Sequence, residues 1–187
     1  NSLWFWGAGT KPSFDGFEKR TGMKGAMISA VDLLKGIAVG DGLLVKEVEG
    51  ATGSLHTNYE GKAQAAIDAL LKHGCDFAYI HLEGPDEMAH QGLTMEKVES
   101  IEYLDSRIIA PVKAALEAAG EDYRFLILPD HPNLLRLRTH TADPVPYIFY
   151  DSTKVQKKIA RYSESEAAAT GIFEPKGHKL MERFLKG

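Results

Sequence analysis

Five side chains in this 187-residue sequence have the types and spacing to hold a divalent cation: Asp86, His90, Asp130, His131 and His140. Asp86 and His90 stand four apart, so a single helical turn projects both from one face. Asp130 and His131 follow an apolar run, where adjacent residues point in different directions and only a loop can converge them on one ion. His140 lies in Arg136-Leu-Arg-Thr-His-Thr-Ala-Asp-Pro-Val-Pro-Tyr147, whose two prolines mark a loop entering a strand. Taken singly, each segment reads as something ordinary: a decorated surface, a capped turn, a loop histidine. Taken together they give an oxygen and nitrogen donor set without thiolate, suited to Mn, Zn or Mg, with imidazole favouring the first two. Aspartates would offset the metal charge and neutral imidazoles would keep the metal electrophilic, so acid that protonates the histidines should weaken the site.

Elements must exist to carry these residues. Apolar runs bounded by turn residues alternate with longer amphipathic stretches, the pattern of α/β layering around a mostly parallel sheet. Strands are predicted at Leu3 to Trp6, Gly25 to Ser29, Leu43 to Val48, Asp76 to Leu82, Arg124 to Leu128 and Val145 to Tyr150. Helices are predicted at Val31 to Val39, Glu60 to Lys72, Met95 to Ala119 and Lys179 to Leu185. In the longest, Val98, Ile101, Leu104 and Ile108 fall at helical spacing, Thr94 is the predicted cap, and Pro111 should bend the axis. Ligands of open α/β sheets sit beyond the carboxyl ends of the strands, and the segments Glu83 to His90 and Pro129 to His131 both follow predicted strands.

Composition narrows the function classes. The net charge of -4 and the scattered lysines and arginines give no basic field for nucleic acid. Cys75 is the only cysteine, which excludes a disulfide framework and a thiolate cluster and fits a cytoplasmic protein; its apolar surroundings place it in the core. No apolar stretch approaches the roughly 20 residues that span a bilayer, so no membrane association is expected. Length favours one domain over residues 1–187. The chain opens on Asn1 directly before a predicted strand, as a portion of a longer protein would.

Asp86-x-x-x-His90, Asp130-His131 and Thr139-His-Thr-x-x-Pro-Val-Pro146, in that order, resemble the metal-binding motifs of cofactor-independent phosphoglycerate mutases and the wider alkaline phosphatase superfamily. Trp6-Gly-Ala-Gly9, the run from Lys24 to Gly36, and Gly50-Ala-Thr-Gly53 with Thr57-Asn58-Tyr59 resemble its archaeal-type branch, so the likeness covers nearly the whole chain. It implies a three-layer α/β/α fold whose central sheet is incomplete on its N-terminal side, with Asp86, His90 and His140 holding one metal and Asp130 and His131 the second. The family's serine nucleophile, a further aspartate ligand and an inserted substrate-binding domain belong to segments not found in this sequence, and these would be the chain's partners.

The implied reaction is metal-dependent phosphoryl transfer, interconverting 2-phosphoglycerate and 3-phosphoglycerate in glycolysis through a phosphoserine outside these residues. Two metals about 3.5–4 Å apart would clamp the attacking and leaving oxygens. Alternatives are a phosphotransferase or phosphomonoesterase acting on another small metabolite, such as a homoserine kinase of this branch, or a non-catalytic metal-binding module. Lys19, Lys24 and Arg138 are candidates for the substrate's phosphate or carboxylate, against a reading as solvated surface charge. His56, His73, His81 and His178 match no ligand position and read as structural, and Trp4 and Trp6 as packing residues. Trp6 stands where relatives often carry arginine, and Leu93 where an acidic residue is common; both departures bear on substrate contacts more than on the metals.

Overall fold

The computed structural model describes residues 9–10, 12–154 and 161–186. The predicted strand Leu3 to Trp6, and with it Trp4 and Trp6, lies outside the described residues. In chain order the elements are α1 (Phe17–Thr21), β1 (Gly25–Ile28), α2 (Asp32–Gly40), β2 (Leu44–Val45), α3 (Tyr59–Leu71), β3 (Phe77–Ile80), α4 (Gly84–Gln91) and α5 (Thr94–Leu104). A π-helical turn (Asp105–Ile109) leads into α6 (Ala110–Ala119), followed by β4 (Arg124–Ile127), β5 (Asn133–Leu134), β6 (Thr139–His140), β7 (Ile148–Asp151), α7 (Glu164–Ala169) and α8 (Leu180–Lys186).

Strands β2, β1 and β3 form a parallel sheet in that order, with Gly25 opposite Phe77 and Ala26 opposite Leu44. β7 runs antiparallel to β4, Leu126 facing Phe149, and β5 and β6 form a small hairpin. Side-chain alternation along the strands places helices on both faces. Ala78 and Ile80 of β3 point toward α3, whose Ala65, Ala66 and Ala69 let the helix approach Ala26 and Ile28 closely. Phe125 of β4 joins the same layer, packed with Tyr59 and Ala63 of α3 and with Val112 and Leu116 of α6. On the opposite face Phe77 stacks on Phe17 of α1 at 5.1 Å, and Phe184 of α8 meets both Phe77 and Phe149. The two ladders thus share both helical layers, giving α/β/α, yet no ladder joins β3 to β4 among the described residues.

Local chemistry sets the helix ends. Asn58 caps α3 by accepting from the Gly61 N–H at 2.8 Å. Thr94 does not cap α5: Leu93 holds that position and Thr94 is already helical. The long predicted helix exists, but it crosses Pro111 through the π-helical turn. Proline offers no N–H and crowds the carbonyl four residues back, so widening the preceding turn relieves the clash. Among the described residues no helix is long and apolar enough to cross a membrane. Cys75 is buried, and burial raises its thiol pKa.

Candidate metal centre

The ligand-type side chains gather beyond the carboxyl end of β3. The chain leaves the strand at His81 and enters α4, where Pro85 occupies the first turn and suits a helix start. Asp86 follows in that first turn, at the positive end of the helix, and His90 stands one turn on. Gly92 ends the helix in the left-handed conformation (φ 73°). The hairpin supplies the opposing side. Asn133 and His140 are directly opposed across it, so both side chains leave from the same face and reach Asp86.

The geometry is tight. His140 Nε2 lies 3.1 Å from Asp86 Oδ1 and 3.1 Å from His90 Nε2, while His90 Nε2 lies 3.2 Å from Asp86 Oδ2. Donors bonded at about 2.0–2.1 Å to one tetrahedral ion stand about 3.3–3.4 Å apart, so the three side chains already have nearly the spacing of ligands to a shared cation. His90 Nδ1 is 3.0 Å from the carbonyl oxygen of Arg138. A carbonyl only accepts, so Nδ1 carries the proton and Nε2 presents its lone pair to the cluster. Asn133 Nδ2 donates to Asp86 Oδ1 at 2.8 Å and to the Asp86 carbonyl at 3.2 Å, fixing the carboxylate on both sides of its Cα.

His131 stacks on His140 with ring centroids 3.7 Å apart, and one ligand atom from each of Asp86, His131 and His140 falls within 4.8 Å of the others. Its Nδ1 is buried and has no partner among the described residues, as an imidazole awaiting a ligand would be. Asp130 touches His131 locally, accepting from its backbone N–H at 3.0 Å and lying 3.2 Å from Nε2. The structure therefore brings Asp86, His90 and His140 together with His131 stacked against them, while Asp130 contacts only its neighbour His131.

The surroundings are acidic. Burial, followed by the charges of Glu87 and Asp86, raises the pKa of Glu83, and burial with Asp130 raises that of Tyr79. Such a field attracts cations. Arg138 is exposed, two residues from His140, with a left-handed backbone (φ 54°) rare outside glycine. Its guanidinium rests on Gly92, where an added Cβ would come within 2.7 Å of Nε. Lys24 precedes the first residue of β1 and Lys19 lies in α1, so both sit by the amino end of the parallel strands; the structure does not bring them to the cluster. Asn133 has no signal in the sequence beyond its place two residues after His131, because its partner is 47 positions away.

The α/β/α layering agrees with the known proteins this chain resembles. A model of the Metalloenzyme superfamily matches residues 1–184, and the chain belongs to that superfamily. More particularly, it is 46% identical over 186 residues to a probable 2,3-bisphosphoglycerate-independent phosphoglycerate mutase of Geobacter sulfurreducens, covering 99% of this chain and 46% of that protein. It is 42% identical over 187 residues to the 2,3-bisphosphoglycerate-independent phosphoglycerate mutase of Methanothrix thermoacetophila, covering 100% and 47% respectively. The PH0037 protein from Pyrococcus horikoshii superposes with a TM-score of 0.74 at 29% identity, covering 86% of this chain and 46% of that one. The chain spans about half the length of the curated relatives it matches.

Proposed function

We propose that these residues form the metal-binding part of a cofactor-independent phosphoglycerate mutase, which interconverts 2-phosphoglycerate and 3-phosphoglycerate. The convergence of Asp86, His90 and His140 at 3.1–3.2 Å, with His131 stacked against them, carries this reading. Asp86, His90 and His140 would hold one divalent ion, and Asp130 with His131 would contribute to a second, with Mn or Zn suited to the carboxylate and imidazole donors. When bound, such ions supply Lewis acidity to phosphoryl oxygens and lower the pKa of a hydroxyl nucleophile.

The chain's own residues hold and orient. Asn133 fixes the Asp86 carboxylate, the Arg138 carbonyl sets the His90 tautomer, and the Arg138 guanidinium is placed to meet a phosphate or carboxylate at the rim. Residues 1–187 act in this reading as one domain, whose active centre is completed by a serine nucleophile and a further aspartate from the part of the longer relatives that this chain does not match. A cytoplasmic setting would suit a chain whose single cysteine, Cys75, forms no disulfide framework.

A coupled assay of the longer protein against 3-phosphoglycerate tests the reading directly. Activity should appear with Mn or Zn, vanish with chelator and vanish in His140→Ala, while the 187-residue chain alone shows no turnover. Turnover on a different phosphorylated metabolite, with none on phosphoglycerate, would overturn the substrate assignment and leave the metal centre standing.

A further inference from the structure

Behind the candidate metal centre a lysine is buried without a direct ion-pair partner among the described residues. Lys62, in the first turns of α3, is 1% exposed, and no carboxylate lies within ion-pair distance of it among the described residues. Its Nζ donates to the carbonyl oxygens of Thr52 at 3.2 Å and His81 at 3.4 Å. Burial holds its pKa down at about 8, opposed by the charge of Glu83. Burial first, and the Lys62 charge second, also lower that of His81, whose Nδ1 is 3.3 Å from the Ser29 hydroxyl at the end of β1.

A buried ammonium costs stability, and an apolar side chain of similar length is often neutral or better at such a position. What Lys62 gains is the connection between two segments. Thr52 belongs to the loop between β2 and α3, and that loop is braced internally by the Thr52 N–H donating to Thr57 Oγ1 at 2.9 Å. His81 is the residue that follows β3, five before Asp86. The same loop receives Glu83: a Cβ built on Gly53 would stand 2.2 Å from Glu83 Oε2, so an added methyl would push that carboxylate aside.

We propose that Lys62 is a positioning residue for the metal centre: its ammonium clamps the Thr52 loop to the end of β3 and so fixes the junction from which Asp86 and His90 project. The role rests on the assignment of Asp86 and His90 as ligands. It differs from packing, because it predicts loss of metal affinity without loss of stability.

The test compares the 187-residue chain with Lys62→Met and Gly53→Ala by thermal melting, Mn titration, and hydrogen exchange normalised to intrinsic rates. Lys62→Met should melt at or above the wild-type temperature and bind Mn about tenfold more weakly. Its amides in 50–58 and 81–86 should exchange faster while those of α6 do not change. Gly53→Ala, which displaces Glu83 from the same junction, should reproduce the local exchange and the weakened binding, and it decides the matter if Lys62→Met does not fold. Unchanged exchange in both segments overturns the clamp. Faster exchange with wild-type Mn affinity overturns the positioning role. A wild-type chain that takes up no Mn defeats the ligand assignment instead, and exchange alone then judges the clamp.

Discussion

Asp86 and Asp151 are both carboxylates surrounded by nitrogen, and their surroundings differ in kind. Asp151 is 3% exposed at the end of β7 and is met by several donors. Thr153 gives its hydroxyl at 2.6 Å and its N–H at 3.0 Å, Arg124 Nε lies at 3.1 Å and Lys154 Nζ at 3.2 Å. Those bonds, the Thr153 pair foremost, hold its carboxyl far below the ordinary aspartate range. Asp86 has one firm donor, the Asn133 amide, and faces two imidazole nitrogens that also face each other at 3.1 Å. The first arrangement is complete in the chain itself and serves the fold. The second gathers a carboxylate and imidazole nitrogens at nearly the spacing of donors that share one cation.

Substituting the two aspartates should therefore give crossed effects. The largest is Asp86→Ala: Mn binding should weaken by more than the roughly 10–100-fold typical of losing a partner outside the ligand shell, while the melting temperature without metal stays near wild type. Asp151→Asn should do the reverse, lowering the melting temperature and sparing the metal. A lowered carboxyl pKa contributes stability that is full above the unfolded-state value, about 3.9, and is lost as pH falls through the folded value. Wild type should accordingly lose stability below about pH 4 more steeply than Asp151→Asn, as melts across acid pH would record. If Asp86→Ala instead unfolded the chain and Asp151→Asn released metal, the contrast would be reversed.

Asn133→Ala should fall between these extremes. It frees the Asp86 carboxylate without removing a ligand, so Mn affinity should drop by about 10–100-fold in a titration. Arg138→Gly should have the smallest effect. It keeps the backbone carbonyl that orients His90 and relieves the left-handed strain, so metal affinity should stay near wild type and stability should change by no more than about 1 kcal/mol. A large loss of metal there would move the orienting role from the Arg138 backbone to its side chain.

Much of this arrangement is legible before any coordinates. Strands β1, β3 and β4 and helices α2, α3 and α8 follow from apolar period and turn residues, and Asp86 and His90 share a helical face as their spacing requires. Less legible is whatever depends on distant partners. The β5–β6 hairpin has two-residue strands, too short for a period, yet it brings His140 and Asn133 to Asp86. Pro111 announces a disturbance, but whether the helix kinks, stops or widens depends on how α3 packs against the turn before it. Lys62 reads as one more surface lysine on an amphipathic helix, because its carbonyl partners lie in a loop and at a strand end. Lys19 and Lys24 attract notice by their charge alone, and direction along β1 places them by the amino end of the parallel strands.

The central claim, that Asp86, His90, His131 and His140 form a metal centre, is tested most directly by elemental analysis of the purified chain and of His140→Ala after dialysis against Mn and Zn. Retention of metal by the wild type, and its loss from a folded His140→Ala, is the predicted result. Equal metal content in the two would contradict it, since His140 is the residue on which Asp86, His90 and His131 all converge.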